Sequence, residues 1–105
     1  MRSSKAYSLV YTGDFRRHLT SIDRKYHPLI RETLKMQLQY EPNVQTRNRK
    51  PLRRPLSFRA EWELRFGPGN RYRAFYAVKE LEVILLAFGE KEGNRLLIEG
   101  REVGP

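Results

Sequence analysis

Residues 61–78 read EWELRFGPGNRYRAFYAV, two apolar-alternating runs around a Gly-Pro-Gly-Asn turn, with arginines at 65, 71 and 73. Guanidinium groups are planar donor forks that match phosphate oxygens, and an aromatic ring beside cations is the usual setting for stacking a base. Glu63 is the one carboxylate placed among them, able to act either as a base or as a counter-ion. A polyanion is therefore the ligand these residue types suit, provided that the fold brings them together.

A hairpin would do so. If its core face must be apolar, one register is selected: Phe66 opposes Tyr72, Leu64 opposes Ala74, and Trp62 opposes Tyr76. The other face then sets Arg65 opposite Arg73 and Glu63 opposite Phe75. Slipping by one residue opposes Leu64 to Arg73 and scrambles both faces. Like charges directly across a strand pair cost roughly 0.2–1 kcal/mol, so the pair needs an anion. Glu63, diagonal to Arg73, can supply it, and so can a bound phosphate. Phe75 on the same face can stack a base or be covered by the chain's tail.

The elements that must hold this hairpin follow from periodicity. AYSLVYT (residues 6–12) alternates and reads as a strand. Asp14 is positioned as an N-cap for a helix whose stripe is Phe15, Leu19, Ile22 and Tyr26. His27-Pro28 breaks the chain and starts a second helix carrying Ile30, Leu34 and Leu38, ending by Glu41-Pro42. Strands are expected over residues 59–66, 71–79 and 81–88. GEKEGN (residues 89–94) reads as a loop, and RLLIEGREV as a short strand or hairpin turning at Glu99-Gly100. The whole is one α+β domain over residues 1–105: an antiparallel sheet of four or five strands with an N-terminal helical hairpin on one face, in the order β-α-α-β-β-β-tail.

Composition narrows the partner. The 105 residues carry 21 Lys and Arg against 12 Asp and Glu, a net charge of +9. Residues 1–60 hold 14 basic and 4 acidic side chains, and residues 61–105 hold 7 and 8. Such an excess favours phosphate contacts with counter-ion release. Residues 47–54 are the densest stretch, with Arg47, Arg49, Lys50, Arg53 and Arg54, prolines at 51 and 55, and no acid. It reads as an irregular extended segment, either a grip on nucleic-acid backbone or a solvated loop. No cysteine is present, which excludes disulfides and thiolate chemistry, and His18 and His27 are too isolated to form a metal site. The longest uncharged apolar run, Val83 to Phe88, is too short to span a bilayer, and MRSSKAYSLV has no signal-peptide core, so the expected location is cytoplasmic.

A basic loop, then Trp62-Glu63-Leu64-Arg65, a glycine turn, Tyr72-Arg73-Ala74-Phe75-Tyr76, and Leu85-Leu86-Ala87-Phe88-Gly89-Glu90-Lys91 resembles the RelE/ParE superfamily of bacterial type II toxin–antitoxin toxins, in its RelE/HigB-like mRNA interferase branch. The resemblance covers about residues 6–95. It implies an endoribonuclease that cuts mRNA on the ribosome by 2′-hydroxyl attack and inhibits translation, without metal or cofactor, restrained by a cognate antitoxin. Carried over position by position, Arg73 contacts phosphate and stabilises the transition state, with Arg65 and Lys91 beside it and Glu63 at a position that is lysine in some relatives. Arg47, Arg49, Lys50, Arg53, Arg54, Arg71, Phe75 and Arg95 would contact RNA, including ribosomal RNA. Many relatives also place a tyrosine or histidine near the C-terminus; here neither follows Tyr76. That departure keeps a second implication open, a catalytically silent or gyrase-directed ParE-like relative acting by binding alone.

Overall fold

The register demanded by an apolar core face is the one found in a computed structural model of the chain, which describes residues 5–53 and 59–103. Strand β3 (Trp62–Phe66) pairs antiparallel with β4 (Tyr72–Lys79), with Trp62 opposite Tyr76, Leu64 opposite Ala74, Arg65 opposite Arg73 and Phe66 opposite Tyr72. Leu64, Ala74 and Tyr76 are fully buried under the helices, together with Val83, Leu85 and Phe88 of β5 (Glu82–Glu92).

The helices supply the other half of that core. Helix α1 (Gly13–Leu19) and helix α2 (His27–Leu38) bury Phe15, Leu19, Ile30, Leu34 and Leu38 against the sheet. The first helix is shorter than its apolar stripe predicts. Thr20 Oγ1 and Ser21 Oγ donate back to the carbonyls of Arg17 and His18, and Asp23 accepts from the Lys25 amide to cap a separate 3₁₀ turn over Arg24–Tyr26. Such local side-chain bonds compete with helix propagation. Tyr26 is accordingly left exposed. The cap of α1 also moves: Thr12 Oγ1, not Asp14, accepts from the Phe15 amide at 3.2 Å.

Among the described residues seven strands form the sheet, where four or five were expected. Short β2 (Arg49–Pro51) pairs with β3, so part of the basic segment is regular structure, contrary to its reading as irregular. The order β2-β3-β4-β5-β6-β7 is antiparallel throughout, and β1 (Ser8–Tyr11) joins β5 in parallel. Strand β6 (Arg95–Ile98) and β7 (Arg101–Glu102) form the expected hairpin around Glu99-Gly100.

Strand β5 is also longer than expected, because most of GEKEGN extends it and only Gly93-Asn94 turns. A bulge is responsible for its phasing: Phe75 opposes Ala87 and Tyr76 opposes Leu85, which leaves Leu86 unpaired. The extra residue lets Leu85 and Phe88 both face the helices, and puts Ala87 and Gly89 on the opposite face. There the tail crosses closely, since a Cβ on Gly89 would lie 2.8 Å from the Leu97 carbonyl oxygen. Between β1 and β6 the free edge of β5 is plugged by His18, whose Nδ1 accepts from the Phe88 amide at 3.2 Å. Burial holds the His18 imidazole below its ordinary pKa, with Glu99 opposing that shift.

Candidate nucleic-acid interface

Strand parity, turn chemistry and the bulge together decide where each cation of the far sheet face ends up. Arg65 and Arg73 face each other as expected, and the anion between them is Glu63. Arg65 Nε donates to Glu63 Oε1 at 2.9 Å, and Arg73 Nη1 donates to Oε2 at 3.3 Å. Side chains of Glu63 and Arg73 are 12% and 10% exposed, so this carboxylate is a buried counter-ion shared by two guanidiniums. With both oxygens engaged, it is not free to act as a general base.

Arg73 nonetheless reaches further. Its Nε donates to the Asn70 carbonyl at 3.1 Å, which ties the guanidinium to the β3–β4 turn. That turn needs positive φ at Gly67, Gly69 and Asn70, and Gly67 has no room for a side chain because Tyr72 lies against it. Facing it is the β5–β6 turn at Gly93. The Lys91 amide donates to the Arg71 carbonyl at 2.8 Å and joins the two turns.

Between them opens a cleft of 580 Å³ lined by Gly69, Arg71, Arg73, Lys91, Glu92 and Gly93. Two of its cations are paired with carboxylates. Arg71 Nε lies 3.0 Å from Glu90 Oε2 and its Nη2 lies 3.8 Å from Glu92, while Arg73 holds Glu63. Lys91 is partly exposed, and among the described residues its amine has no hydrogen bond or ion pair. Two glycines, the Arg71 and Arg73 guanidiniums, the Lys91 ammonium and the Glu92 carboxylate line this opening. Beyond Arg71 lies a more apolar cleft of 410 Å³ against the start of α2, walled by Tyr26, Leu29 and Tyr72, whose only cation is Arg71.

Several residues expected at an RNA surface lie elsewhere. Phe75 is 1% exposed, packed with Ala87 and Ile98 and bordered by Leu52, Leu96 and Val103. The tail covers it, so it has no ring face to offer a base. Arg65 is held by Glu63 outside the cleft lining, and Arg95 pairs with Glu102 at 3.2 Å on the outer hairpin. Arg49 turns inward: its Nη1 donates to the carbonyls of Gln37 at 2.6 Å and Tyr40 at 3.4 Å, satisfying the C-terminal end of α2. Arg47, Lys50 and Arg53 remain exposed, and Arg54 lies outside the described residues.

Gly69, Asn70 and Gly93 are site residues that charge and aromatic content did not single out. Their signal was available in the turn chemistry of GPGN and EGN, where positive φ lets two turns approach each other. No tyrosine or histidine is among the residues that line the cleft. Tyr76 is buried, its hydroxyl donates to the Pro42 carbonyl at 2.7 Å, and burial raises its pKa. Among the described residues no group of three or more His, Cys, Asp or Glu side chains is placed to hold a metal ion, and no helix is long and apolar enough to cross a membrane.

The chain is a small α+β domain with a RelE-like fold. The structure is similar to a chain in the crystal structure of the toxin–antitoxin complex RelBE2 from Mycobacterium tuberculosis, with a TM-score of 0.66 and 25% identity, over 83% of this chain and 93% of that one. This likeness supports a RelE-family toxin, the class whose motifs the sequence resembles. The sequence itself matches no protein-family model and no curated protein.

Proposed function

We propose that this chain is a ribosome-dependent mRNA endoribonuclease, the toxin of a toxin–antitoxin pair, and that it seats the scissile phosphate in the cleft between the β3–β4 and β5–β6 turns. The observation that carries this reading is the Lys91 amine, unpaired among the described residues, beside the positioned Arg73 guanidinium. Cleavage by 2′-hydroxyl attack builds negative charge on the phosphorane, and preorganised cations aimed at that charge supply the largest single share of such catalysis. In this reading Arg71 steers the neighbouring phosphate, and Arg47, Lys50 and Arg53 hold ribosomal RNA backbone.

The cleft holds no tyrosine or histidine, and Glu63 is occupied. General acid–base help, worth about 10²–10⁴-fold, is then left to Lys91 and Glu92, the remaining proton-transfer side chains that line the cleft. The nuclease should be slow unless the ribosome contributes a group. The same observation favours a second reading, a silent or gyrase-directed relative that binds and cuts nothing. Induced expression followed by mapping of mRNA 5′ ends separates them. The nuclease reading expects codon-positioned cuts that disappear in Arg73→Ala; growth arrest without such cuts would overturn it, and gyrase-dependent DNA breaks would select the second reading. A cognate antitoxin, coexpressed, should abolish the arrest.

A further inference from the structure

The early end of α1 leaves an aromatic ring beside a cleft that the proposed phosphate site does not use. After Leu19 the chain makes the 3₁₀ turn over Arg24–Tyr26, and Tyr26, 43% exposed, borders the 410 Å³ cleft. His27 Nε2 lies 2.9 Å from the carbonyl oxygens of both Leu19 and Ile22, which fixes the turn. A second wall is Tyr72, whose ring lies against Gly67. It packs with Phe66 and Phe88 at centroid distances of 5.6 and 5.5 Å, so this wall is held in place.

Two carboxylates also line this cleft. Asp23 Oδ1 accepts from the Lys25 amide at 3.0 Å, and Glu90 Oε2 accepts from Arg71 Nε at 3.0 Å. Among the described residues the second oxygen of each has no partner. Arg71 lines the cation cleft as well, where its Nη2 lies 3.8 Å from Glu92, so one guanidinium borders both openings. Carboxylates this near a phosphate oppose its binding unless they accept hydrogen bonds from the same ligand.

We propose that the cleft beside Tyr26 and Tyr72 is a base subsite, taking a guanine whose neighbouring phosphate lies beyond Arg71 in the cation cleft. The assignment rests on the nuclease reading above. The Watson–Crick edge of guanine presents two adjacent donors, N1–H and the N2 amino group, where the other RNA bases present one donor group each. Two unpartnered acceptor oxygens suit guanine. The tyrosine rings supply stacking surface, and the volume falls in the range of about 300–1,000 Å³ usual for small-ligand sites. An acidic peptide is a poor occupant, because Asp23 and Glu90 would repel it. An apolar side chain of another protein would bury both oxygens unsatisfied.

The test titrates the full, ¹⁵N-labelled chain with guanosine 3′,5′-bisphosphate, its uridine analogue and inorganic phosphate, following amide resonances. The guanosine probe should move Thr33 and Gly67 of the apolar cleft together with Gly93 of the cation cleft, and inorganic phosphate should move Gly93 alone. The uridine probe should bind about tenfold more weakly, and Asp23→Asn, which keeps a capping oxygen, should erase that preference. Tyr26→Ala should weaken the guanosine probe about tenfold and leave the response to inorganic phosphate unchanged. If a variant does not fold, the wild-type map and the preference for guanosine decide. A guanosine probe that moves Gly93 alone, or binds no tighter than the uridine probe, would overturn the base subsite and leave the phosphate reading standing. Movement of Thr33 and Gly67 with Gly93 silent would overturn the phosphate cleft and the juxtaposition built on it, and no movement at any of the three would overturn both.

Discussion

Two cationic regions of this molecule look alike in composition and differ in what their charges face. The segment Arg47–Arg53 packs cations most densely, yet one of them, Arg49, is spent on the carbonyls of α2, and Lys50 lies on a strand edge that needs charge to stay unpaired. The turn cleft holds fewer cations. There Arg73 is fixed by Glu63 and Asn70, and Lys91 stands beside it with no partner among the described residues. On the proposed reading, density in sequence serves attraction to a polyanion at a distance, and the fixed geometry of the cleft serves one phosphate.

Four comparisons of variants break or sharpen that contrast. Arg73→Ala should have the largest effect, lowering the rate of mRNA cleavage by about 10²–10³-fold, as loss of one preorganised donor does, whereas Arg53→Ala in the same assay should stay near wild type. Equal losses would erase the distinction between the regions. Next comes Glu63→Gln, which leaves two guanidiniums facing each other. Thermal unfolding should report a loss of about 2–3 kcal/mol, below the figure for a wholly buried pair because Arg65 is half-exposed. Unchanged stability would mean that Glu63 is not what neutralises the pair.

Arg49→Ala should cost about 1 kcal/mol of stability through the uncapped α2 carbonyls and leave the salt dependence of RNA binding unchanged. A flatter salt slope in that variant would put Arg49 back among the phosphate contacts. The smallest effect belongs to Arg47→Ala or Lys50→Ala, each expected to reduce the salt slope by about 1 with no change in melting temperature. A slope already near zero in the wild-type chain would remove the segment from RNA contact altogether.

How much of this was legible beforehand depended on whether a local rule had a competitor. The β3–β4 register could be read residue by residue, because only one alignment gives Trp62, Leu64 and Phe66 apolar partners. The same parity set Arg65 against Arg73, and of its two anion candidates the carboxylate two residues away in sequence prevailed. The extension of β5 through Gly89–Glu92 was hidden because polar residues on a strand's solvent side look like a loop, and the bulge at Leu86 because an extra residue leaves no trace in VILLAF. Helix α1 stopped at Leu19 where Thr20, Ser21 and Asp23 satisfied local backbone groups, although the apolar stripe ran on. Phe75 required knowing where the tail lies, a long-range contact that no local pattern encodes.

The central claim is that the cleft, and not the denser segment, holds the phosphate that is cut. Its most direct test measures cleavage of mRNA on purified programmed ribosomes by the wild-type chain, Lys91→Ala and Lys50→Ala. Both lysines are solvent-accessible, so neither change should disturb folding. The predicted result is a loss of about tenfold or more for Lys91→Ala with the cut positions of Lys50→Ala and its rate near wild type. A full rate in Lys91→Ala, or a larger loss in Lys50→Ala, would contradict it.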